Sequence, residues 1–138
     1  MKILFDTNVI LDVYLNRMPH VHQSAPAIAY VENGIITGVL CAHTITTTFY
    51  FLEKSLGGES ARTHIANLLS IFDVAAVNRS VLMAALKTGF NDYEDAVIYE
   101  AALSVDADAI VTRNGKDFLV TKIPAFTPGE LLAVVSAF

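Results

Sequence analysis

The stretch Met1–Asp12, which reads MKILFDTNVILD, decides the fold of this chain. The apolar run Ile3–Phe5 is too short for a helix and is typical of a strand buried on both faces of a sheet. The strand stops at Asp6, and Thr7 and Asn8 are predicted to cap a helix that follows at once. Asp6 is therefore predicted to lie at the carboxyl end of a core strand, where open α/β sheets bind ligands.

Composition indicates one compact domain, residues 1–138, because 54% of the residues are hydrophobic and 17% are charged. Polar residues interrupt every apolar run well before membrane-spanning length, so no membrane segment is expected. The single cysteine, Cys41, excludes an intrachain disulfide and favours a reducing compartment, so a cytoplasmic location is expected. The net charge of −5 argues against a basic nucleic-acid surface, although carboxylates that hold divalent cations reverse the local potential.

Strand-like and helix-like segments alternate along the whole chain, with no internal repeat and no linker. The predicted strands are Ile3–Phe5, 36–42, 73–77, 109–112 and, as an edge strand, 123–126. The predicted helices are those after Asp6 and at 20–33, 43–56, 59–72, 80–88, 96–105 and from Thr127 onward. This alternation predicts an α/β fold, a three-layer α/β/α arrangement with a central parallel sheet of about four or five strands.

Acidic residues recur where a strand stops or a helix begins: at Asp6, in the segment 92–95, and in the segment 114–117. On a helix, Asp92 and Asp95 share a face, and Glu94 is predicted to point elsewhere. A purely structural explanation of this segment makes Asn91 the N-cap and Glu94 its capping-box partner. That explanation leaves Asp6 and the segment 114–117 unexplained, although parallel strands bring all three places to one end of the sheet.

Carboxylates gathered without lysine or arginine between them repel one another, and a divalent cation relieves that repulsion. The oxygen donors would come from Asp6, Asp95, Asp117 and the amide of Asn114, a set that favours Mg²⁺ or Mn²⁺ over Zn²⁺. Such a cation keeps waters that can serve as nucleophiles while it binds a phosphate oxygen. Metal-dependent phosphodiester hydrolysis is the chemistry that this arrangement supports best.

Three motifs, DTNVILD, NDYEDAVIYEAA and IVTRNGKDF, occur in order and together resemble PIN-domain proteins, the fold of VapC-type toxin ribonucleases. The resemblance implies a parallel sheet, a Mg²⁺ or Mn²⁺ site, RNA cleavage and a cognate antitoxin partner. By position, Asp6 matches the first acid, Asp95 the third and Asn114 the fourth. The residues predicted to complete or support this site are Asn8, Asp92, Thr112 and Asp117.

The second acidic position of the family departs from the pattern, because the segment HTITTTFYFLEK offers threonines there. Thr47 aligns best with that position and Thr48 is the alternative, whereas Glu53 is predicted to face solvent. A threonine hydroxyl adds no charge, so weaker metal binding is expected. Asn114 removes a second charge, which Asp92 or Asp117 could restore.

The leading hypothesis is a metal-dependent endoribonuclease, the toxin of a toxin–antitoxin pair, with Arg113 and Lys116 as phosphate contacts and a homodimer as the assembly. The alternative is a PIN-fold binding module with weak or no nuclease activity. Other α/β families fit less well: a haloacid-dehalogenase-type phosphatase needs an acid where Asn8 stands, and a dinucleotide-binding fold needs a glycine-rich first turn. Cys41 is interpreted as a small core residue rather than a nucleophile.

Overall fold

The computed structural model describes residues 1–118 and 121–137, apart from the side chain of Asp117. Five parallel strands form its central sheet: β1 (Lys2–Phe5), β2 (Thr37–Cys41), β3 (Asp73–Ala75), β4 (Ala109–Val111) and β5 (Ala125–Phe126). Their spatial order is β3-β2-β1-β4-β5, with every neighbouring pair parallel. The predicted parallel sheet is confirmed, and the predicted edge strand is confirmed in a shortened form.

Helices connect the strands and cover both faces of the sheet, as the alternating pattern predicted. Their bounds are α1 (Thr7–Tyr14), α2 (Val21–Glu32), α3 (Ala42–Leu56), α4 (Gly58–Ile71), α5 (Arg79–Ala85), α6 (Tyr93–Ser104) and α7 (Pro128–Ser136). A short 3₁₀ helix, Gly115–Phe118, follows β4. Within the described residues, each helix is too short or too polar to cross a bilayer.

The sheet divides the core into two clusters, and β1, the middle strand of the sheet, contributes side chains to both. Ile3 and Phe5 belong to the cluster under α1, α2, α4 and α7, whereas Leu4 belongs to the cluster under α5 and α6. Successive strand residues point to opposite faces, so three consecutive apolar residues fill both cores. The continuous apolar run of the sequence therefore reflects a strand covered on both sides.

At two functional places the N-cap lies one or two residues from the residue expected to cap the helix, and α6 begins three residues before the predicted start at 96. Asp6 itself caps α1, with its Oδ1 accepting from the Thr7 N–H, so Thr7 is the first helical residue rather than a cap. Asp92, not Asn91, caps α6 through the Asp95 N–H. The predicted cap of the last helix is confirmed at Thr127, which forms a full capping box with Glu130.

Gly38, in β2, is a point where the sheet needs a residue without a side chain. A Cβ added there would come within 2.5 Å of the Phe72 ring and 2.8 Å of a Val31 methyl group. Phe72 is itself held edge-on against Phe5, with ring centroids 5.2 Å apart. The aromatic ring thus occupies the space above the strand that an alanine would require.

The substitution Gly38→Ala is expected to lower the free energy of unfolding by about 1–3 kcal/mol, because it overpacks a filled core. Gly89→Ala is the matched control, since a Cβ at Gly89 meets nothing within 4 Å. Urea denaturation monitored by circular dichroism measures both effects. Equal midpoints for the two variants would contradict the assigned packing.

Candidate active site

The candidate site lies where the direction of strand addition reverses in the sheet. The chain places β2 and β3 on one side of β1 and then crosses to β4 and β5 on the other. Ligands of open α/β sheets bind outside the carboxyl ends of strands at such a switch point. Asp6 follows β1 there and Thr112 follows β4, so both residues stand at this edge of the sheet.

Asp6 is a nearly fully buried carboxylate that is held by hydrogen bonds from two directions. Its Oδ1 accepts from the Thr7 N–H at 2.7 Å, and its Oδ2 accepts from the Thr112 hydroxyl at 2.8 Å. Burial raises the pKa of Asp6 above its ordinary value, the two hydrogen bonds oppose that rise, and the nearby charge of Glu94 adds to it. Asp6 is therefore rigidly oriented, and its negative charge is costly in the absence of a ligand.

An open cleft of about 320 Å³ lies in front of Asp6, and we call it the acidic cleft. Its lining comprises Asp6, Thr7, Asn8, Leu11, Arg17, Thr47, Phe51, Asp92, Glu94, Asp95 and Asn114. Four of these residues are carboxylates, and among the described lining residues Arg17 is the one basic side chain. The sequence-predicted residues Asp6, Asn8, Thr47, Asp92, Asp95 and Asn114 are thus brought together.

Of the three adjacent threonines on α3, Thr47 is the one that lines the acidic cleft. Thr48 is fully buried, and the exposed Thr46 bonds back to the carbonyl oxygen of His43. Thr47 is therefore the one of these three threonines that can take part in the site, and its alignment with the second acidic position stays a prediction. Glu53 is exposed and lies outside the lining of the cleft, as the helical spacing predicted.

Glu94 lines the acidic cleft, contrary to the expectation that it points elsewhere. Its Oε1 lies 3.4 Å from Nε2 of His43, whose Nδ1 lies 3.2 Å from Sγ of Cys41. The expectation was wrong because it used helical spacing alone: the amino end of α6 faces the cleft, so first-turn residues on different faces can border it. Burial raises the pKa of Cys41 to about 11, in keeping with its predicted role as an inert core residue.

Only some of the described polar residues in the loop after β4 line the acidic cleft. Asn114 is exposed and lines the cleft, and its N–H donates to the same Thr112 hydroxyl that contacts Asp6. Lys116 is exposed but does not line the cleft. The side chain of Asp117 lies outside the described part of the structure, so the metal-binding role predicted for it stays a prediction.

Arg113, which is predicted to contact a phosphate at the edge of the site, does not line the acidic cleft. Its Nε forms an ion pair at 2.7 Å with Oδ2 of Asp12, a fully buried carboxylate on α1. Nη1 of Arg17 lies 3.9 Å from Oδ1 of the same carboxylate. Sequence reasoning missed Asp12, although it closes the DTNVILD motif and a buried polar position within an apolar helix face is a signal of pairing.

The donor set of the acidic cleft fits a hydrated divalent cation. All of its candidate ligands are oxygens, and each carboxylate oxygen of Asp6 keeps a lone pair beyond its protein hydrogen bond. Among the described residues, no three acidic, histidine or cysteine side chains lie close enough together to chelate an ion directly. A cation bound at this spacing would keep several of its waters.

Comparison with known proteins finds similar sequences and similar folds. The chain is 25% identical over 134 residues to Ribonuclease VapC1 of Aquifex aeolicus (strain VF5), and the match covers 94% of this chain and 92% of that protein. Its fold is similar to that of a toxin-antitoxin complex from Klebsiella pneumoniae, with a TM-score of 0.69, 21% identity and coverage of 91% of this chain and 96% of the other.

A second similar structure is Mycobacterium tuberculosis VapC20, a toxin that cleaves the sarcin-ricin loop. The TM-score is 0.66 at 14% identity, with 84% of this chain and 92% of that chain covered. The model of the PIN domain family matches residues 2–116, a span that contains β1 to β4 and every described residue of the acidic cleft. Because the family model matches most of its length, this chain belongs to the PIN domain family.

Proposed function

We propose that this protein is a divalent-metal-dependent endoribonuclease and the toxin of a toxin–antitoxin pair. The observation that carries the proposal is the acidic cleft of a PIN domain, in which a buried, oriented carboxylate and three further acids face a single arginine among the described lining residues. The relative from Aquifex aeolicus carries the name of a ribonuclease, and the similar structures described above are toxins or contain one.

The residues that would hold the metal are Asp6, Asp95 and Asn114, together with Asp92 and Asp117 as predicted from the sequence. We take the metal to be Mg²⁺ or Mn²⁺, since every donor is an oxygen. When bound, the ion polarises a phosphodiester and lowers the pKa of water, which makes hydrolysis possible near neutral pH. Thr7 and Thr112 fix the orientation of the Asp6 carboxylate, so the principal ligand requires little rearrangement to bind.

Other residues of the site are suited to hold single-stranded RNA. Phe51 lines the acidic cleft with part of its ring exposed, and such a ring can stack on a base. Lys116 is exposed on the 3₁₀ helix that follows Asn114, a position from which a lysine can reach backbone phosphates. The net charge of −5 implies that RNA affinity comes from local groups, such as a bound metal and basic side chains near the cleft, rather than from the protein's overall field.

Partner binding is part of the proposal. Exposed apolar side chains on α3 and α4, including Tyr50, Leu56 and Leu69, offer surface for a cognate antitoxin or for a second copy in a homodimer. We also propose a cytoplasmic location, which suits an RNA substrate and a single free cysteine, Cys41.

A PIN-fold binding module without nuclease activity is the second candidate, because Thr47 lines the cleft and the sequence resemblance aligns it with a position where the family has an acid. Such a module would bind RNA or a partner protein but would not cleave RNA. The two candidates differ in whether Asp6 is needed for metal binding and for cleavage.

The first prediction is that Asp6→Asn lowers the rate of RNA cleavage in the presence of Mg²⁺ or Mn²⁺ by roughly 100-fold or more. Loss of a residue that only hydrogen-bonds to a metal ligand already lowers metal affinity or activity by up to about 100-fold. The measurement is digestion of total cellular RNA, followed by gel electrophoresis. Asp73→Asn is the control, because Asp73 is exposed at the start of β3, away from the acidic cleft. Cleavage that persists at the wild-type rate in Asp6→Asn would refute the enzyme assignment.

The second prediction concerns the missing charge at Thr47. In Mn²⁺ titrations followed by calorimetry, Glu94→Gln should weaken binding by about tenfold and Thr47→Glu should strengthen it by a similar factor, because each changes the cleft by one charge. The double variant should bind about as well as the wild type. Glu53→Gln removes an acid from the same protein outside the cleft and should leave binding unchanged. Unaltered binding in Glu94→Gln would show that this residue does not act on the metal.

The third prediction follows from the raised pKa of Asp6. The folded state binds this proton more tightly than the unfolded state, so stability falls as the pH rises from the ordinary pKa of 3.8 to the raised pKa and stays lower above it. Asp6→Asn should therefore melt a few degrees higher than the wild type at pH 7 without metal, and the gap should vanish as the pH falls below the ordinary value of 3.8. Scanning calorimetry across pH measures it, and added Mg²⁺ should narrow the gap at pH 7. A lower melting temperature for Asp6→Asn at pH 7 would contradict the argument.

A further inference from the structure

A second cleft, of about 280 Å³, adjoins the acidic cleft and has the opposite chemistry. We call it the arginine cleft. It is lined by His20, Gln23 and Ser24 of the α2 region, by Arg113 and Asn114 after β4, and by the start of α7. No carboxylate belongs to its described lining, whereas the acidic cleft has four. A cleft that offers donors and a guanidinium, without acids, is suited to an anion.

The two clefts meet at Asn114, which lines both of them. A ligand that occupies the acidic cleft and extends past Asn114 therefore enters the arginine cleft. A nucleic-acid strand carries one phosphate per nucleotide, so a strand with one phosphate at the acidic cleft presents others beside it. The position of Asn114 makes the arginine cleft part of the same path.

The guanidinium of Arg113 is held in place by a buried partner. Its Nε pairs with Asp12 at 2.7 Å, and its Nη1 lies 3.4 Å from Nε2 of His20 at the surface. Asp12 lies between Arg113, in one cleft, and Arg17, in the other. One buried carboxylate thus positions an arginine at each cleft, which is an arrangement that restricts both side chains before any ligand binds.

Ser24 supplies an independent sign that this cleft is built for a ligand. The residue lines the cleft and is fully buried, and its hydroxyl has no hydrogen-bond partner among the described residues. A buried hydroxyl without a partner is costly, and a ligand oxygen that accepts its proton would remove that cost.

We propose that the arginine cleft binds a backbone phosphate of the RNA strand, next to the phosphate that enters the acidic cleft. The inference rests on the proposed function for the identity of the strand. Arg113, presented by Asp12, supplies the charge, and Asn114 marks the boundary between the two phosphate positions. Arg113 accordingly contacts the substrate beside the metal site rather than at it.

The test is a matched pair of substitutions, His20→Glu and His22→Glu. Both residues are exposed histidines at the start of α2, and His20 lines the arginine cleft whereas His22 does not. Glutamate at position 20 places a carboxylate within reach of the Arg113 guanidinium, where it competes with a phosphate. Glutamate at position 22 makes the same change in net charge outside the cleft.

Binding is measured without turnover, in the Asp6→Asn background, by fluorescence anisotropy of a labelled single-stranded RNA dodecamer of mixed sequence. We expect His20→Glu to weaken binding by about tenfold relative to His22→Glu and to reduce the slope of log affinity against log salt by about 0.7, the value for one phosphate contact on a single strand. In the wild-type background, His20→Glu should raise KM and leave kcat nearly unchanged, because the phosphate lies beside the reacting centre.

Equal affinities and salt slopes for the two variants would overturn the arginine cleft as a phosphate site, even if the wild type cleaves RNA. Absence of cleavage by the wild type would overturn the proposed function instead, and the anisotropy comparison would still decide whether this cleft binds RNA phosphate. Ser24→Ala supplies a second measurement that does not alter charge. It should weaken RNA binding without lowering the melting temperature, because it removes a hydroxyl that has no partner in the described residues.

Discussion

The hydrogen bond from the Thr112 hydroxyl to Asp6 Oδ2 is the contact on which the site depends, because it joins the ends of β1 and β4 across the switch point of the sheet. The other oxygen of Asp6 caps α1. The same Thr112 hydroxyl accepts from the Asn114 N–H and so sets the loop that borders both clefts. One carboxylate therefore aligns a strand end, a helix start and a loop.

Two buried carboxylates on neighbouring segments meet opposite electrostatic conditions. Asp12 is compensated by Arg113 and by the more distant Arg17, so its charge is used within the protein. Asp6 has hydrogen bonds but no basic partner among the described ion pairs, and burial raises its pKa. An uncompensated buried charge is expensive for folding and available for function. Asp12 thus holds Arg113 in place, whereas Asp6 is the carboxylate that we propose as a ligand of the cation.

Most of the fold was predictable because the sheet is parallel and covered on both faces. Buried parallel strands appear in sequence as short continuous apolar runs, and β1, β2 and β4 were found in this way. Helix starts were less predictable: Asp6 and Asp92 act as caps where the neighbouring Thr7, Asn8 and Asn91 were expected to. Several adjacent residues had suitable side chains, and the choice among them depends on backbone angles that local sequence does not specify.

The sequence by itself determined the α/β class, the position of Asp6 at a strand end, and the recurrence of acids where other strands and helices meet, because each of these follows from local periodicity. Tertiary structure alone decided which side chains share a cleft. It placed Glu94 in the same cleft as Asp6 and paired Arg113 with Asp12. It also placed His20 beside Arg113, although the two residues are too far apart in sequence for a motif to include both. Such pairings depend on how helices dock against the sheet, and docking is set by the packing of the whole core.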